Sequence, residues 1–323
     1  MARDVTDTVY LIPRGDTTTS WWVSGTAMTM VAVATVSGNV SVVGALWRLR
    51  RTPLHYPLIS LVVADSLVGI AVLPIAAARE LFVFHLPRFV CAFWSTMDVL
   101  CCTASILSLC ALGWERWCGI TTPLARAKRH RIARRLAYLV WPIATAVALP
   151  TAFIPSPRHF HPGELAKACT VNTNIGYVFF SITLSFYIPA VMMGVMYGFI
   201  LKALATPPPV RMHRGRIANP EKQVRREQHM SRQKRATRTI IMLMALFLVC
   251  WTPFFVMLPI DSLFDCVSDT AWQWCTWLGY LNSSLNPIVY AAASPTVRRV
   301  IRASFSGRSS RNDLPMTPCA RRT

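Results

Sequence analysis

The chain has 323 residues, 53% of them hydrophobic and only 15% charged, with a mean hydropathy of +0.39. Soluble domains carry nearer a quarter charged residues, and here the shortfall is concentrated in long, nearly uncharged runs, which excludes an ordinary water-soluble enzyme. The net charge of +20, from 34 Lys and Arg against 14 Asp and Glu, does not point to nucleic acid, because the basic residues fall in short segments between apolar runs and not on one face of a soluble fold.

In chain order, Met1–Ser20 is polar and lacks the apolar core of a cleaved signal peptide, so the first apolar run is expected to act as an uncleaved insertion signal. Seven runs then reach the roughly 20 residues that a helix needs to cross the hydrocarbon core: Ser24–Leu46, Leu58–Ala78, Phe93–Leu112, Leu136–Ile154, Ile175–Leu201, Ile240–Ile260 and Trp272–Ala293. They lack the alternation of membrane-barrel strands and are too long for them. The expected fold is therefore an all-α membrane protein, a seven-helix bundle over 24–293 between an N-terminal tail, 1–23, and a C-terminal tail, 294–323.

Basic residues follow the first run (Arg48, Arg50, Arg51), the third (Arg126 to Arg135) and the fifth (Arg225 to Arg238), and the alternate segments carry scattered charges only. The positive-inside rule places the N-terminus outside and the C-terminus inside. The longest connection, about 202–239, combines Pro207, Pro208 and Pro209 with dense Lys and Arg and reads as partly disordered or as helical extensions. Ser294–Phe305 reads as a basic amphipathic helix lying along an anionic leaflet. An odd number of spans without internal repeats argues against a transporter.

Ionisable groups at bilayer depth are costly to bury and mark function by default. Asp65 in the second run and Asp98 in the third stand out; for each, a structural hydrogen-bonding role is the alternative. Ser181 and Ser185, four residues apart in the fifth run, share a helical face, although Ser in such a helix also bonds its own preceding turn. Trp251, Phe254 and Phe255 form an aromatic face that suits either core or ligand.

The third run reads from Cys91 through Asp98 and Ser105 to Glu115-Arg116-Trp117. The others contribute Gly38-Asn39-Val40, Leu61 to Asp65, Trp141, Pro189 with Tyr197, Cys250-Trp251-Thr252-Pro253-Phe254-Phe255, and Tyr280 with Asn282 to Asn286-Pro287 and Tyr290. This order of motifs resembles that of the rhodopsin-like (class A) G-protein-coupled receptors, and specifically their biogenic-amine branch.

The resemblance implies a receptor that passes the binding of a small protonated amine (a catecholamine, octopamine or tyramine) to heterotrimeric G proteins, with arrestin and a receptor kinase as further partners, in the plasma membrane. Asp98 would hold the ammonium; Val99, Cys102, Trp251, Phe254 and Phe255 would wall the pocket; Ser181 and Ser185 would meet ring hydroxyls; and Tyr280 would steady Asp98. Cys91 and Cys169 would form a disulfide. Asp65, Ser105, Asn282 and Asn286 would surround an allosteric sodium ion, no other cofactor being expected, and Glu115, Arg116, Tyr197, Pro253, Pro287 and Tyr290 would form the activation switch. Departures are Trp117 for the usual Tyr, Gln233 where many relatives have a Glu that restrains Arg116, and Leu258, which offers no polar group to a catechol. Cys266 with Cys275 as a second bridge and Cys319 as a palmitoylation site remain open.

Competing readings are weaker. Asp65 and Asp98 lack the glycine pattern of intramembrane aspartyl proteases, and no His-Glu-x-x-His is present. The seventh run has no lysine for a retinal Schiff base. A receptor of this class that takes a non-amine ligand, or signals without one, is the alternative.

Overall fold

The computed structural model describes residues 12–13, 19–48, 55–83, 87–122, 125–154, 169, 172–205, 220–293 and 298. In order these form α1 (Thr19–Arg48), α2 (His55–Leu67), a π turn (Val68–Val72), α3 (Leu73–Leu81), α4 (Arg88–Thr121), α5 (Arg126–Ala148) with a closing 3-10 turn (Leu149–Ala152), α6 (Ile175–Ile182), a second π turn (Thr183–Tyr187), α7 (Ile188–Ala205), α8 (Pro220–Phe264) and α9 (Asp269–Ala293). Helix continues through both π turns, so these segments make seven spans.

Six spans are long and apolar enough to cross a membrane by composition. The seventh, α9, has the length, 25 residues, but is diluted by Asn282, Ser283, Ser284 and Asn286. All four are buried inside the protein, where partners rather than lipid meet them. The outer surface of the bundle is apolar instead: Met30, Val33, Ile70, Val191, Val249 and Ile288 are all exposed, as expected where hydrocarbon is the solvent.

Each π turn has a nearby proline as its cause. Pro74 and Pro189 have no N–H to donate, and each ring crowds the carbonyl four residues earlier, that of Ile70 and of Ser185. Both carbonyls lie within the π turns, whose wider winding accommodates the lost bond. These turns sit beside Asp65 and at Ser185, so the two distortions help to place two residues that the sequence singles out.

Span 3 (α4) is the axis of the bundle. It packs against α2, α5, α7 and α8, whereas α1 closes the ring against α2 and α9. Its inward residues Cys101, Ala104, Ile106, Leu109 and Leu112 are essentially sealed. Ala64, Ala104, Val140 and Ala144 let spans 2, 3 and 4 approach closely, as small residues do in membrane helix packing. Gly38 serves the same end between spans 1 and 7: a Cβ there would stand 2.9 Å from Pro287 Cγ.

The sequence expectation needs adjustment at the element ends. Span 1 begins at Thr19, inside the expected tail, and Ile12–Pro13 pairs antiparallel with Phe82–Val83 as a two-stranded ribbon, a feature absent from the all-α expectation. Trp21 supports this corner by donating its Nε1–H to the Leu81 carbonyl at 2.9 Å. Span 6 extends back to Pro220, so part of the long connection is helical extension. The side chain of Gln233, the helix expected over Ser294–Phe305 and Cys319 lie outside the described residues, apart from a helical Arg298.

Candidate functional site

At one end of the bundle Cys91, in the first turn of α4, is bonded to Cys169, with their Cα atoms 5.6 Å apart. Cys266 and Cys275 are free thiols. The disulfide ties the segment before α6 to the mouth of span 3. Beyond it, Asn172 Oδ1 accepts from the Asn174 N–H at 2.9 Å, its Nδ2 donates to the Ile154 carbonyl at 2.8 Å, and Asn174 Oδ1 caps α6 by accepting the Tyr177 N–H at 3.2 Å. An Asn at the N-cap satisfies a donor that the helix itself cannot, and here it fixes where span 5 enters the bundle.

Below this entrance lies a cavity. Span 3 contributes Trp94, Ser95, Asp98, Val99 and Cys102; span 5 contributes Tyr177, Ser181, Ile182 and Ser185; span 6 contributes Trp251, Phe254, Phe255 and Leu258. Thr151 and Asn172 complete the wall. Eight of the nine ligand residues expected from the sequence therefore surround one space. The ninth, Tyr280, stands behind it, buried, and donates its hydroxyl to Asp98 Oδ2 at 3.2 Å.

The cavity is chemically two-ended. Among the described residues of its wall, Asp98 is the only carboxylate. Hydroxyls reach the wall from span 5 and from the turn that closes span 4: Tyr177 in direct contact with Thr151, then Ser181 and Ser185. The two serines donate to the carbonyls of Val178 (3.1 Å) and Ser181 (2.5 Å), which is the self-bonding that the sequence left open. Both residues nevertheless line the cavity, and their hydroxyl oxygens retain acceptor capacity. The π turn places Ser185 by a winding that the simple four-residue spacing did not include.

Between the ends, aromatic rings interlock. Phe255 stacks on Phe186 at 4.3 Å, Trp251 meets Phe254 edge-on at 5.7 Å and Tyr280 edge-on at 6.4 Å, and Phe254 meets Trp272 at 5.7 Å. Offset and edge-on pairs are favourable beyond the area they bury. Gly279 lets span 7 lie against Trp251, since a Cβ there would fall 2.8 Å from the indole.

Trp94, Ser95, Thr151, Asn172, Tyr177 and Ile182 were not among the expected residues. Trp94 and Tyr177 were within reach of the sequence, each being one helical turn from a named residue, Asp98 and Ser181. Thr151 and Asn172 carried no local signal, because they arrive from a 3-10 turn and from the segment pinned by the disulfide.

A second polar cluster lies deeper. Asp65, fully buried, accepts from Ser105 (3.3 Å), Ser283 (2.9 Å) and Asn286 (2.8 Å). Ser283 had not been expected here. Asn282 is buried with its Oδ1 unsatisfied, and Asn39 joins spans 1 and 7 by donating to the Ser283 carbonyl at 3.0 Å.

At the far end, Glu115 is buried with Arg129 Nη2 at 2.5 Å, and Arg116 Nε at 3.6 Å from its other oxygen. The expected neighbour Arg116 is thus the looser of two partners, and the tighter one comes from α5. Tyr290 is buried with its hydroxyl unpartnered, and Tyr197 is half-buried. Pro253 and Pro287 lie inside α8 and α9.

Seven spans around a central third helix, a disulfide at the mouth of a cavity and a buried acid–arginine pair at the opposite end define a membrane-embedded receptor. The chain belongs to the 7 transmembrane receptor (rhodopsin family), whose pattern matches residues 38–290. Among its relatives are the alpha-1A adrenergic receptor of Oryzias latipes, 31% identical over 88% of this chain and 66% of that protein, and that of Rattus norvegicus, 31% identical over 83% of this chain and 64% of that protein. The 5-hydroxytryptamine receptor 1D of Homo sapiens is 28% identical over 85% of this chain and 86% of its own length. These are biogenic-amine receptors of class A. The chain spans about two thirds of the length of the adrenergic relatives. The family is one of multi-pass signalling receptors, not of enzymes.

Proposed function

We propose that this chain is a receptor for a small protonated aromatic amine that signals to heterotrimeric G proteins from the plasma membrane, with its disulfide end outside. The observation that carries the reading is Asp98: one carboxylate on the wall of an otherwise uncharged, aromatic-lined cavity, steadied by Tyr280 and facing hydroxyls on span 5. An ammonium there gains an ion pair strengthened by its distance from bulk water, and Trp251, Phe254 and Phe255 supply stacking and cation–π surface. Ring hydroxyls reach toward Ser181 and Ser185. A catecholamine, octopamine or tyramine meets this description.

Ligand contact with Trp251 is coupled to the rest of the bundle through span 6. Pro253 and Pro287 give spans 6 and 7 places to bend, and the rearrangement releases Arg116 from Glu115 for the G protein, with Tyr197 and Tyr290 as its neighbours in the active state. Arrestin and a receptor kinase use the same basic end. The mid-bundle cluster suits a sodium ion: Asp65 supplies the charge, and Ser105, Asn286 and the unsatisfied Asn282 Oδ1 supply the oxygen a hard cation prefers. Its presence would favour the resting arrangement.

Asp98→Asn tests the reading, since it removes the charge and keeps the shape. A charge-assisted contact contributes about 1.5–3 kcal/mol, so amine potency is expected to fall about 10- to 150-fold at unchanged surface expression. Unchanged potency refutes the assignment.

A further inference from the structure

Asp261, near the outer end of span 6, is buried, 1% exposed. It lies on the same stripe of the helix as Leu258 and Phe254, three and seven residues earlier, and both of those line the cavity. Asp261 is not among the described residues of the wall. A carboxylate buried in this way is costly unless its hydrogen bonds are filled, so what those bonds hold is informative. Oδ1 accepts the Val267 N–H at 3.0 Å, and Oδ2 accepts the Trp272 Nε1–H at 2.8 Å. One acid thus fastens both the turn after span 6 and the first turn of span 7.

The second of these bonds leads to the cavity. Trp272 meets Phe254 edge-on at 5.7 Å, and Phe254 meets Trp251 edge-on at 5.7 Å. Phe254 therefore stands between two indoles, and the outer indole is oriented by Asp261. The end of span 6 has a separate tie, since Ser262 donates to the Thr173 carbonyl at 2.9 Å. Loss of the Asp261 bond accordingly frees Trp272 without releasing the helix end.

We propose that Asp261 is a positioning residue for the ligand: by orienting Trp272 it sets the ring of Phe254, and so the wall on which the ligand's own ring rests. This rests on the amine-receptor reading and adds a residue to its recognition machinery. A wall ring already in place spares the ligand the cost of ordering it. Such a contribution is read chiefly in the dissociation rate.

The experiment follows association and dissociation of tritiated dopamine, octopamine and tyramine on cells expressing the full-length receptor, counting only binding that Asp98→Asn abolishes. Surface expression and thermal unfolding of the ligand-free, solubilised receptor are measured alongside. Trp272→Phe keeps a ring against Phe254 but has no N–H for Asp261; Asp261→Asn keeps the shape and removes the charge that holds the indole. Each should speed dissociation about 3- to 10-fold, the size of one hydrogen bond's net contribution, with association little changed. Because both act through one contact, the double variant should stay within about twofold of the faster single variant.

Unchanged dissociation in Trp272→Phe overturns the role, even where Asp261→Asn fails to reach the surface. Effects that multiply in the double variant overturn it too, since they give the two residues separate tasks. A lowered unfolding temperature with unaltered dissociation in Asp261→Asn assigns the acid to bracing the turn after span 6. These three results leave the amine reading standing. Absence of Asp98-dependent binding for all three amines refutes that reading and the role with it.

Discussion

Two aspartates inside one bundle meet opposite surroundings. Asp65 is fully buried and accepts three side-chain hydrogen bonds, from Ser105, Ser283 and Asn286. Asp98 is only half-buried, opens onto a cavity and, among the described residues, accepts one side-chain hydrogen bond, from Tyr280. Buried polar groups are normally satisfied from within the protein, so the donors around Asp65 describe an acid built into the helix contacts, and the sparse shell of Asp98 leaves room for the ligand proposed above. Composition alone gives both residues the same weight; their shells differ as the proposed roles, ligand anchor for Asp98 and component of the switch for Asp65, require.

The largest effects test that separation. Asp98→Asn is expected to remove amine potency, as argued above, while leaving the thermal stability of the ligand-free, solubilised receptor nearly unchanged. Asp65→Asn should do the reverse. The amide offers one acceptor oxygen where the carboxylate offered two, and its NH2 faces groups that are themselves donors. A buried donor left unsatisfied costs about 1–3 kcal/mol, so a lowered unfolding temperature is the expected readout, with amine binding retained. The same variant should abolish any difference in agonist affinity between buffers containing sodium and N-methylglucamine. A stability loss in Asp98→Asn equal to that in Asp65→Asn would erase the distinction between the two acids.

Much of this was legible in the sequence. Seven apolar runs determined the architecture, and the residues singled out on spans 3, 5 and 6 include eight that the structure brings to one cavity. Span 7 was legible by its length and its Asn282–Pro287 motif even though its polar residues lower its apolarity, because those residues face the interior, where Ser283 and Asn286 donate to Asp65 and Ser284 to the Leu281 carbonyl. Three things were not legible. The π turns depend on how neighbouring spans absorb the missing N–H of Pro74 and Pro189, which local propensity does not encode. Ser283 follows Asn282 by one residue and so points elsewhere on the helix; only the rotation of span 7 against span 2 decides that it, too, reaches Asp65. The partnership of Glu115 with Arg129 joins residues 14 apart across a helix boundary, where the adjacent Arg116 drew attention.

A smaller effect concerns the far end of the cavity from Asp98. Ser181→Ala and Ser185→Ala should weaken hydroxylated amines more than their deoxy analogues in agonist dose–response assays. A neutral hydrogen bond contributes about 0.5–1.5 kcal/mol net, or roughly 2- to 13-fold in potency. Since each serine already donates to its own helix, the ligand hydroxyl must be the donor, and analogues whose hydroxyl is methylated should lose as much on the unaltered receptor. Equal sensitivity of hydroxylated and deoxy ligands would leave the serines as helix-bracing residues and make Asp98 the sole polar anchor.

The smallest expected effect lies at the basic end, where one carboxylate serves two arginines. Glu115 Oε1 is 2.5 Å from Arg129 Nη2, and Oε2 is 3.6 Å from Arg116 Nε. If holding Arg116 favours the resting state, Arg129 competes with that restraint by drawing the carboxylate toward α5. The two obvious substitutions then have opposite signs. Glu115→Gln removes the counter-charge from both arginines and should raise ligand-independent signalling; Arg129→Gln leaves Glu115 wholly to Arg116 and should lower it. Ion pairs with one partly open partner contribute about 0.2–1 kcal/mol, so each shift in the active-to-resting ratio should stay within about fivefold. Basal cAMP or calcium output at matched surface expression provides the measurement. Changes of the same sign in both variants would mean that Arg129 and Glu115 act as one structural pair between spans 3 and 4, with Arg116 restrained by something else.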